Sequence, residues 1–491
     1  MTVYYVRKSG NDSNAGTSPA AAWLTIGKAL GASGISSGDT VYIGPGVYRE
    51  KATVAMTSAV AETFVIGDVT GAYTGDTPGE VRITNYLTND STASTQQSLI
   101  DLNGRDYLTF RNITFAKTTN TATQIYSIDA TTEVSTNIKI QDCTFYMWDA
   151  TGDGGNKGIT VHFESDDVLH WEITRCIFFN VISSIAIDLI ATDATVSDWD
   201  VDFVISNCLF MVMTNAPAVY MAGSTNVKPG GLIVKNCTHI GDTGLFETSN
   251  TSTTFPCYAY NNLIISGWTA YVFNAGVSGQ IVENYNYIMA SIPRNNVSTG
   301  ANSISDGSFA PLLSMGQELQ WGQRPRPYMT PVPGSPLLGF GNHASAPTTD
   351  AANRPRPAGG QSTLNAVGAY ELHDTGTEET TVYDSAPSSM KIVGPGDHEF
   401  LIPVNPIATN ITIMVRYDTN HAATNKPQVQ LLANSSIGVS AETLTMTDGV
   451  DTWERLEFTT FVPTDYGVVT LRCLSRSAAG SGIAWFDSIT V

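Results

Sequence analysis

Long apolar runs are missing from this sequence. No stretch approaches the roughly 20 apolar residues that cross a bilayer, so membrane insertion is not expected. Basic residues are scarce too: 25 Lys and Arg stand against 45 Asp and Glu, a formal net charge of −20. Such a surface repels a phosphate backbone, which argues against nucleic acid as a partner, and it disfavours an anionic membrane surface for the same reason. Charged residues make up only 14% of the chain, well below the usual roughly 25%. No CxxC pair, Gly-x-Ser-x-Gly or His-Glu-x-x-His occurs, and Gly44-Pro45-Gly46 reads as a turn rather than a phosphate loop. The expectation is therefore no metal and no cofactor. Met1 to Arg7 lacks the basic and apolar regions of a secretion signal. Either a signal has been removed, or the protein leaves its cell by another route, such as a virus particle released by lysis.

What is present is Thr, Ser, Asn, Asp and Gly, a mix suited to strands joined by tight bends. Between residues 110 and 290 the chain repeats itself. Asn112-Ile113-Thr114-Phe115 is followed by Ile140-Gln141-Asp142-Cys143-Thr144-Phe145, Ile173-Thr174-Arg175-Cys176-Ile177-Phe178 and Ile205-Ser206-Asn207-Cys208-Leu209-Phe210. Val234 to His239, Tyr260 to Ile265 and Val282 to Tyr287 continue it. Taking Ile113, Cys143, Cys176, Cys208, Cys237, Leu263 and Tyr285 as equivalent, the steps are 30, 33, 32, 29, 26 and 22 residues.

Each unit has an alternating strand, a polar bend residue and another short strand, with no helical periodicity. Asn suits the bend because it tolerates a left-handed backbone. Constant motifs at variable steps indicate stacked coils with loops of differing length. A second strand set, near 99–102, 126–130, 159–164, 185–190, 218–221, 245–248 and 271–274, supports the same reading. The four cysteines at one register would then stack inside the cylinder, either as small buried hydrophobes or as a disulfide or metal set.

Residues 3 to 50 read as the lid such a solenoid needs. Tyr4-Tyr5-Val6 and the turn from Ser9 to Thr17 precede a short amphipathic helix from Trp23 to Leu30. Then come Gly38 to Ile43 and Gly44 to Glu50. The helix would lay Trp23, Ile26 and Leu30 over the first coil. This opening resembles that of the pectate-lyase-like right-handed parallel β-helix superfamily, which includes polysaccharide lyases, glycoside hydrolases and phage tailspikes. Ser335 to Gly339, Asp350 to Pro357 and Val367 to Glu371 look like the closing segment of the same proteins. The resemblance covers residues 1 to about 372 and is silent on the reaction. It implies an all-β fold with 1–50 as cap, 51–290 as coils and 291–372 as an irregular, wrapping segment.

A polar linker, 373–382, leads to alternating strands over 383–491, which read as a β-sandwich. The ending Trp485-Phe486-Asp487 resembles the last strand of jelly-roll carbohydrate-binding modules. Tyr417, Trp453 and Trp485 are candidate sugar platforms there, or else fill the sandwich core.

The candidate chemistry is geometric. Alternation places Ile159, Val161, Phe163, Ile185, Ile187, Leu189, Val219 and Met221 inward. Asp101, Asp129, His162 or Glu164, Asp188, Tyr220 and Glu247 then form an outward column. Carboxylates one or two rungs apart bracket the separations that glycoside hydrolysis needs, and crowding would raise one pKa. His162, Glu164, Asp188 and Glu247 are the candidate catalytic residues, and Asp101, Asp129, Tyr220, Trp453 and Trp485 the candidate ligand-binding ones. A lyase route, with a basic residue beside calcium-binding acids, has less support; Arg105, Lys157 and Lys228 are the nearest bases in sequence.

Three readings stand at this point. The first is a phage tailspike or fibre-like protein at the virion surface that binds, and in one form cleaves, polysaccharide or a cell-surface glycan. The second is a non-enzymatic capsid decoration or structural virion protein, partnered with other virion proteins. The third is a secreted bacterial glycan-active enzyme. Resemblance to tailspikes implies a homotrimer, although no heptad or other oligomer signal is present.

Overall fold

The computed structural model describes residues 1–490 except 58–59, 85–97, 119–125, 132, 149–156, 164–167, 180–184, 192–199, 214–216, 223–230, 242, 250–256, 267–271, 277, 291–292, 306–312, 319–325, 332–336, 338–339, 352–355, 357–363, 366–367, 370–389, 394–396, 405–409, 420–424, 434–437, 463–466 and 477–482. The chain is a right-handed parallel β-helix protein with a C-terminal β-sandwich. Each full coil has three strands. In one coil they are Ile138–Gln141, Thr144–Trp148 and Lys157–Phe163. Stacking coils turns these into three parallel sheets of 10, 10 and 9 strands among the described residues, called here sheets 1, 2 and 3 in chain order.

The bend between sheets 1 and 2 is where the repeat motif sits. Asn112, Asp142, Arg175, Asn207 and Asn236 all have φ between 50° and 56°, the left-handed region that favours Asn and Asp. Arg175 is the least apt residue there, and its guanidinium grips the preceding bend residue, donating to both Asp142 oxygens at 2.8 and 2.9 Å. The last two rungs correct the sequence alignment. Their left-handed residues are Asn261 and Tyr285, and Leu263 pairs with Thr238 and with Tyr287. The equivalents of Cys237 are therefore Asn262 and Asn286, not Leu263 and Tyr285. The Asn261-Asn262 doublet and the aromatic at the bend disguised the register.

The cysteines queue as expected. Cys143, Cys176, Cys208 and Cys237 are free and buried, and each hands its carbonyl to the rung above, as in Ile177 N to Cys143 O at 3.0 Å and Leu209 N to Cys176 O at 2.9 Å. Asn262 and Asn286 then extend the queue as an amide ladder: Cys237 N donates to Asn262 Oδ1 and Asn262 N to Asn286 Oδ1, both at 2.9 Å. Beside it Phe115, Phe145, Phe178 and Phe210 stack face to face, with centroids 5.0, 4.7 and 5.0 Å apart. Burying each ring contributes about 1.5–3 kcal/mol. The next residue of that column is His239.

The N-terminal lid is shorter than the amphipathic pattern suggested: an α-helix over Ile26–Leu30, with Trp23, Ile26 and Leu30 buried. Thr25 caps it by accepting from Lys28 N, and the Glu50 carboxylate takes Ile26 N and Gly27 N, satisfying donors that a helix start leaves open. At the other end of the coil stack the inner column Ile205, Val234, Ala259 closes on Glu283. Its buried carboxylate takes Arg294 Nε at 2.8 Å, Asn286 Nδ2 at 2.8 Å and Gly300 N at 2.7 Å.

Part of 337–369 packs on the outside of sheet 2. Leu337 and Ala369 are buried among Ile177, Leu209, Leu263, Ile265 and Tyr287. The buried Arg356 guanidinium donates to Asn207 Oδ1 and to the carbonyls of Thr349, Gly368 and Ala369. Gly368, at φ 95°, has no room for a side chain: an added Cβ would lie 2.7 Å from Thr238 Oγ1. The stretch read as irregular also contains regular structure. Leu313–Glu318 and Arg326–Pro331 form a hairpin that pairs antiparallel with Asp397–Val404. That hairpin completes a six-stranded sheet which shares a core (Ile413, Val415, Tyr417, Val429, Leu471, Phe486) with a four-stranded sheet. The polar linker 373–382 lies outside the described residues.

Candidate functional site

Strand pairing in sheet 3 sets one row of residues at a common register. Thr53 pairs with Asp101, Asp101 with Asp129, Asp129 with Thr160 and Thr160 with Asp188. Asp188 then pairs with Tyr220, Tyr220 with Glu247, Glu247 with Asn274 and Asn274 with Asn295. Five of the residues expected in the outward column, Asp101, Asp129, Asp188, Tyr220 and Glu247, therefore stand in line. The rung between Asp129 and Asp188 contributes Thr160 instead of the expected His162. His162 pairs with Ile190, two residues further along the same face. Glu164 lies outside the described residues, as does Lys228.

The centre of the row is densely partnered. Asp129 accepts from Ser98 Oγ at 2.9 Å on one oxygen, and from Thr131 N at 3.1 Å and Thr131 Oγ1 at 2.6 Å on the other. Asp188 forms an ion pair with the Lys157 ammonium through Oδ2, while Oδ1 has no hydrogen-bond partner among the described residues; its side chain is 1% exposed. Burial pushes the Asp188 pKa up, against the opposing pull of Lys157 and His162. His162 sits against the same group. Burial lowers its pKa, Asp188 and Asp129 oppose that, Lys157 adds to it, and a hydrogen bond reaches the Thr131 backbone. Tyr126 lies in the field of Asp129 and Asp188 and is raised chiefly by burial. At the ends of the row, Asp101 lies 3.4 Å from Lys51 Nζ and accepts from Asn103 N at 3.1 Å. Tyr220 and Glu247 are half-buried.

Strict alternation does not lead to Lys157 or Tyr126. Leu99, Ala186, Ala218, Leu245 and Val272 are buried in the same core as the residues that follow them, Ile100, Ile187, Val219, Phe246 and Phe273. Two consecutive inward residues mean that the chain turns a corner there, so the preceding residue comes to the outer face. That residue is Tyr126, Lys157 or Ile185 according to the rung. Ile185, expected inward, is accordingly only half-buried. The corner delivers a cation beside the acids, where sequence reading found bases scarce.

In the sandwich, the expected platform Tyr417 instead fills the core at 2% exposure, with its hydroxyl donating to Asp448 O. Trp453 is half-buried, just before strand Glu454–Glu457. Trp485 lies on strand Ile483–Thr490, its backbone paired with Lys391 and Arg416; its side chain is outside the described part. No group of three or more His, Cys, Asp and Glu with metal-holding geometry occurs among the described residues.

No family model matches the chain, and no curated protein does. Among solved structures, 12 chains match. XylC, in a complex with xylose, is similar over 83% of this chain and 91% of its own, at 12% identity and a TM-score of 0.37. A pectin methylesterase from Aspergillus niger is similar over 62% and 83%, at 14% identity and a TM-score of 0.28. A tailspike protein of Acinetobacter baumannii bacteriophage Fri1, a capsular polysaccharide depolymerase, is similar over 91% and 81%, at 9% identity and a TM-score of 0.22. The coil architecture rests on the strand pairing, and these likenesses add no functional assignment.

Proposed function

We propose that this is a glycan-binding protein of the tailspike or fibre kind, displayed at a virion surface or outside the cell, which hydrolyses polysaccharide on the outer face of sheet 3. The observation that carries the reading is the single-register row of Asp101, Asp129, Asp188, Tyr220 and Glu247, with Lys157 and His162 against its centre. Asp129 and Asp188 stand two rungs apart, about 10 Å along the stack. That is close to the separation of carboxyls that hydrolyse with inversion, which leaves room for a water between acid and base. Asp188, whose pKa burial raises, holds its proton to higher pH and is the acid for the leaving oxygen. Asp129, held by three hydrogen bonds, is the base for the water. Bond cleavage then moves one proton from Asp188 to the glycosidic oxygen and one from water to Asp129.

Reducing-sugar release from a panel of capsular polysaccharides tests it. Asp188→Asn and Asp129→Asn should each cut turnover by at least about 100-fold, and turnover equal to that of the parent chain would remove the site. One observation favours a second reading, binding without cleavage: Asp188 is almost fully buried and ion-paired, as a purely structural acid would be. Retained glycan binding with no sugar release from any substrate would establish that reading.

A further inference from the structure

A separate cleft of about 800 Å³ opens on the outer face of sheet 1, within the size range of a small-molecule site. It involves neither the acids of sheet 3 nor the sandwich. Tyr107, Lys139, Glu172, Asp202 and Lys235 line it, with Thr348 from the wrapping segment at its edge. These groups come from consecutive rungs: Lys139 pairs with Glu172 and Glu172 with Val204, while Ser206 pairs with Lys235. Beyond the lining, on the next rung of the same face, lie Tyr260, in register with Lys235, and Tyr258, whose rings stack at 5.7 Å.

The charges decide what fits. Glu62 also lines the cleft, but it is occupied: it takes Lys139 Nζ at 2.8 Å and Thr109 Oγ1 at 2.7 Å. Glu172, Asp202 and Lys235 remain, two acids to one base, with His170 Nδ1 3.5 Å from Asp202. The Lys235 ammonium and the Glu172 carboxylate make no direct hydrogen bond or ion pair among the described residues. A half-buried ammonium and carboxylate left without direct partners offer one strong donor and one strong acceptor to an incoming hydroxyl-rich molecule. A polyanion would meet a surplus of negative charge here, on a chain already at −20. The Tyr107 ring in the lining supplies a flat apolar face that stacks on a sugar ring.

We infer that this cleft is a second saccharide-binding site, distinct from the sheet 3 face, which takes a neutral, hydroxyl-rich glycan segment. Glu172 and Asp202 accept its hydroxyls, Lys235 donates to them, and Tyr107 stacks on one of its rings.

The inference is tested by gel retardation of the full chain in dextran, galactomannan and xylan, with polygalacturonate and alginate as acidic comparators. A neutral oligosaccharide array widens the panel. Glu172→Gln and Lys235→Met should each weaken retention by a neutral glycan at least ten-fold, with thermal melting unchanged because both side chains face outward. Asp129→Asn should leave that retention in place. Three results would each overturn the inference: no neutral glycan bound, retention that survives both cleft substitutions, or binding confined to the acidic polymers. Binding lost only in Asp129→Asn would move saccharide recognition to sheet 3, so the two sites fail separately.

Discussion

His239 follows the last ring of the phenylalanine column, and its replacement by Phe gives a sharp test of how the coil interior treats charge. The imidazole is fully buried next to Phe210; Nε2–H donates to Thr243 O at 2.7 Å, and Nδ1 has no hydrogen-bond partner among the described residues. Burial pushes its pKa from 6.5 down to about 4. The unfolded chain therefore binds a proton below pH 6.5 that the folded chain refuses, so stability is intact above 6.5 and declines as pH falls towards 4. At about 1.4 kcal/mol per pH unit the full loss is about 3 kcal/mol. Half of it is accessible by pH 5.5, above the isoelectric point of about 4.6. Between pH 7.5 and 5.5 the parent should lose about 1.4 kcal/mol more than His239→Phe. Guanidinium unfolding followed by tryptophan fluorescence at pH 7.5, 6.5 and 5.5 reads this difference, and comparing two chains cancels carboxylates common to both. At pH 7.5 the variant gives up the Thr243 hydrogen bond, about 1 kcal/mol, and gains a stacked ring. Parallel pH profiles for the two chains would refute the reasoning, because they would mean that His239 protonates as readily in the fold as out of it.

Two other sites carry predictions about how the ends of the coil are held. Glu283→Gln leaves the Arg294 guanidinium buried without its anion and should cost about 3–5 kcal/mol, read as a lower melting temperature; a change below about 1 kcal/mol would show that Asn286 and Gly300 hold the last rung without it. Arg356→Met removes the donors to Asn207, Thr349, Gly368 and Ala369. Limited proteolysis should then cut within 337–369 at least ten times faster while the coil fragment stays intact, and an unchanged digestion rate would show that the apolar contacts of Leu337 and Ala369 suffice.

What the sequence displays follows from how strongly each feature constrains the residue type. The bend between sheets 1 and 2 admits few residues, because its backbone is left-handed and its neighbour points into a filled cylinder. Asn112, Asp142 and Asn207 therefore stand out, and with them the stacking of Cys143, Cys176, Cys208 and Cys237. Where two residues satisfy the constraint, as in Asn261-Asn262, the alignment slips by one.

The outer row is legible to a different depth. A side-chain period of two fixes which face a residue occupies, so Asp101, Asp129, Asp188, Tyr220 and Glu247 could be grouped. It does not fix position along the strand, and Thr160 and His162 share a face while only Thr160 shares the register. Tyr126 was hidden, and Lys157 stood out only as a base near in sequence, because the corner before Ile128 and Ile159 brings the residue ahead of it to the outer face, which periodicity cannot express. The sheet 1 cleft was hidden for a further reason: its Lys139, Glu172 and Lys235 are ordinary solvent-face residues of three different rungs, and only coil stacking makes them neighbours. In a solenoid the local motif encodes the rung and the register of sheet 1, whereas the sheet 3 row is encoded by the lengths of the segments that follow the motif, which vary from rung to rung and carry no signature of their own.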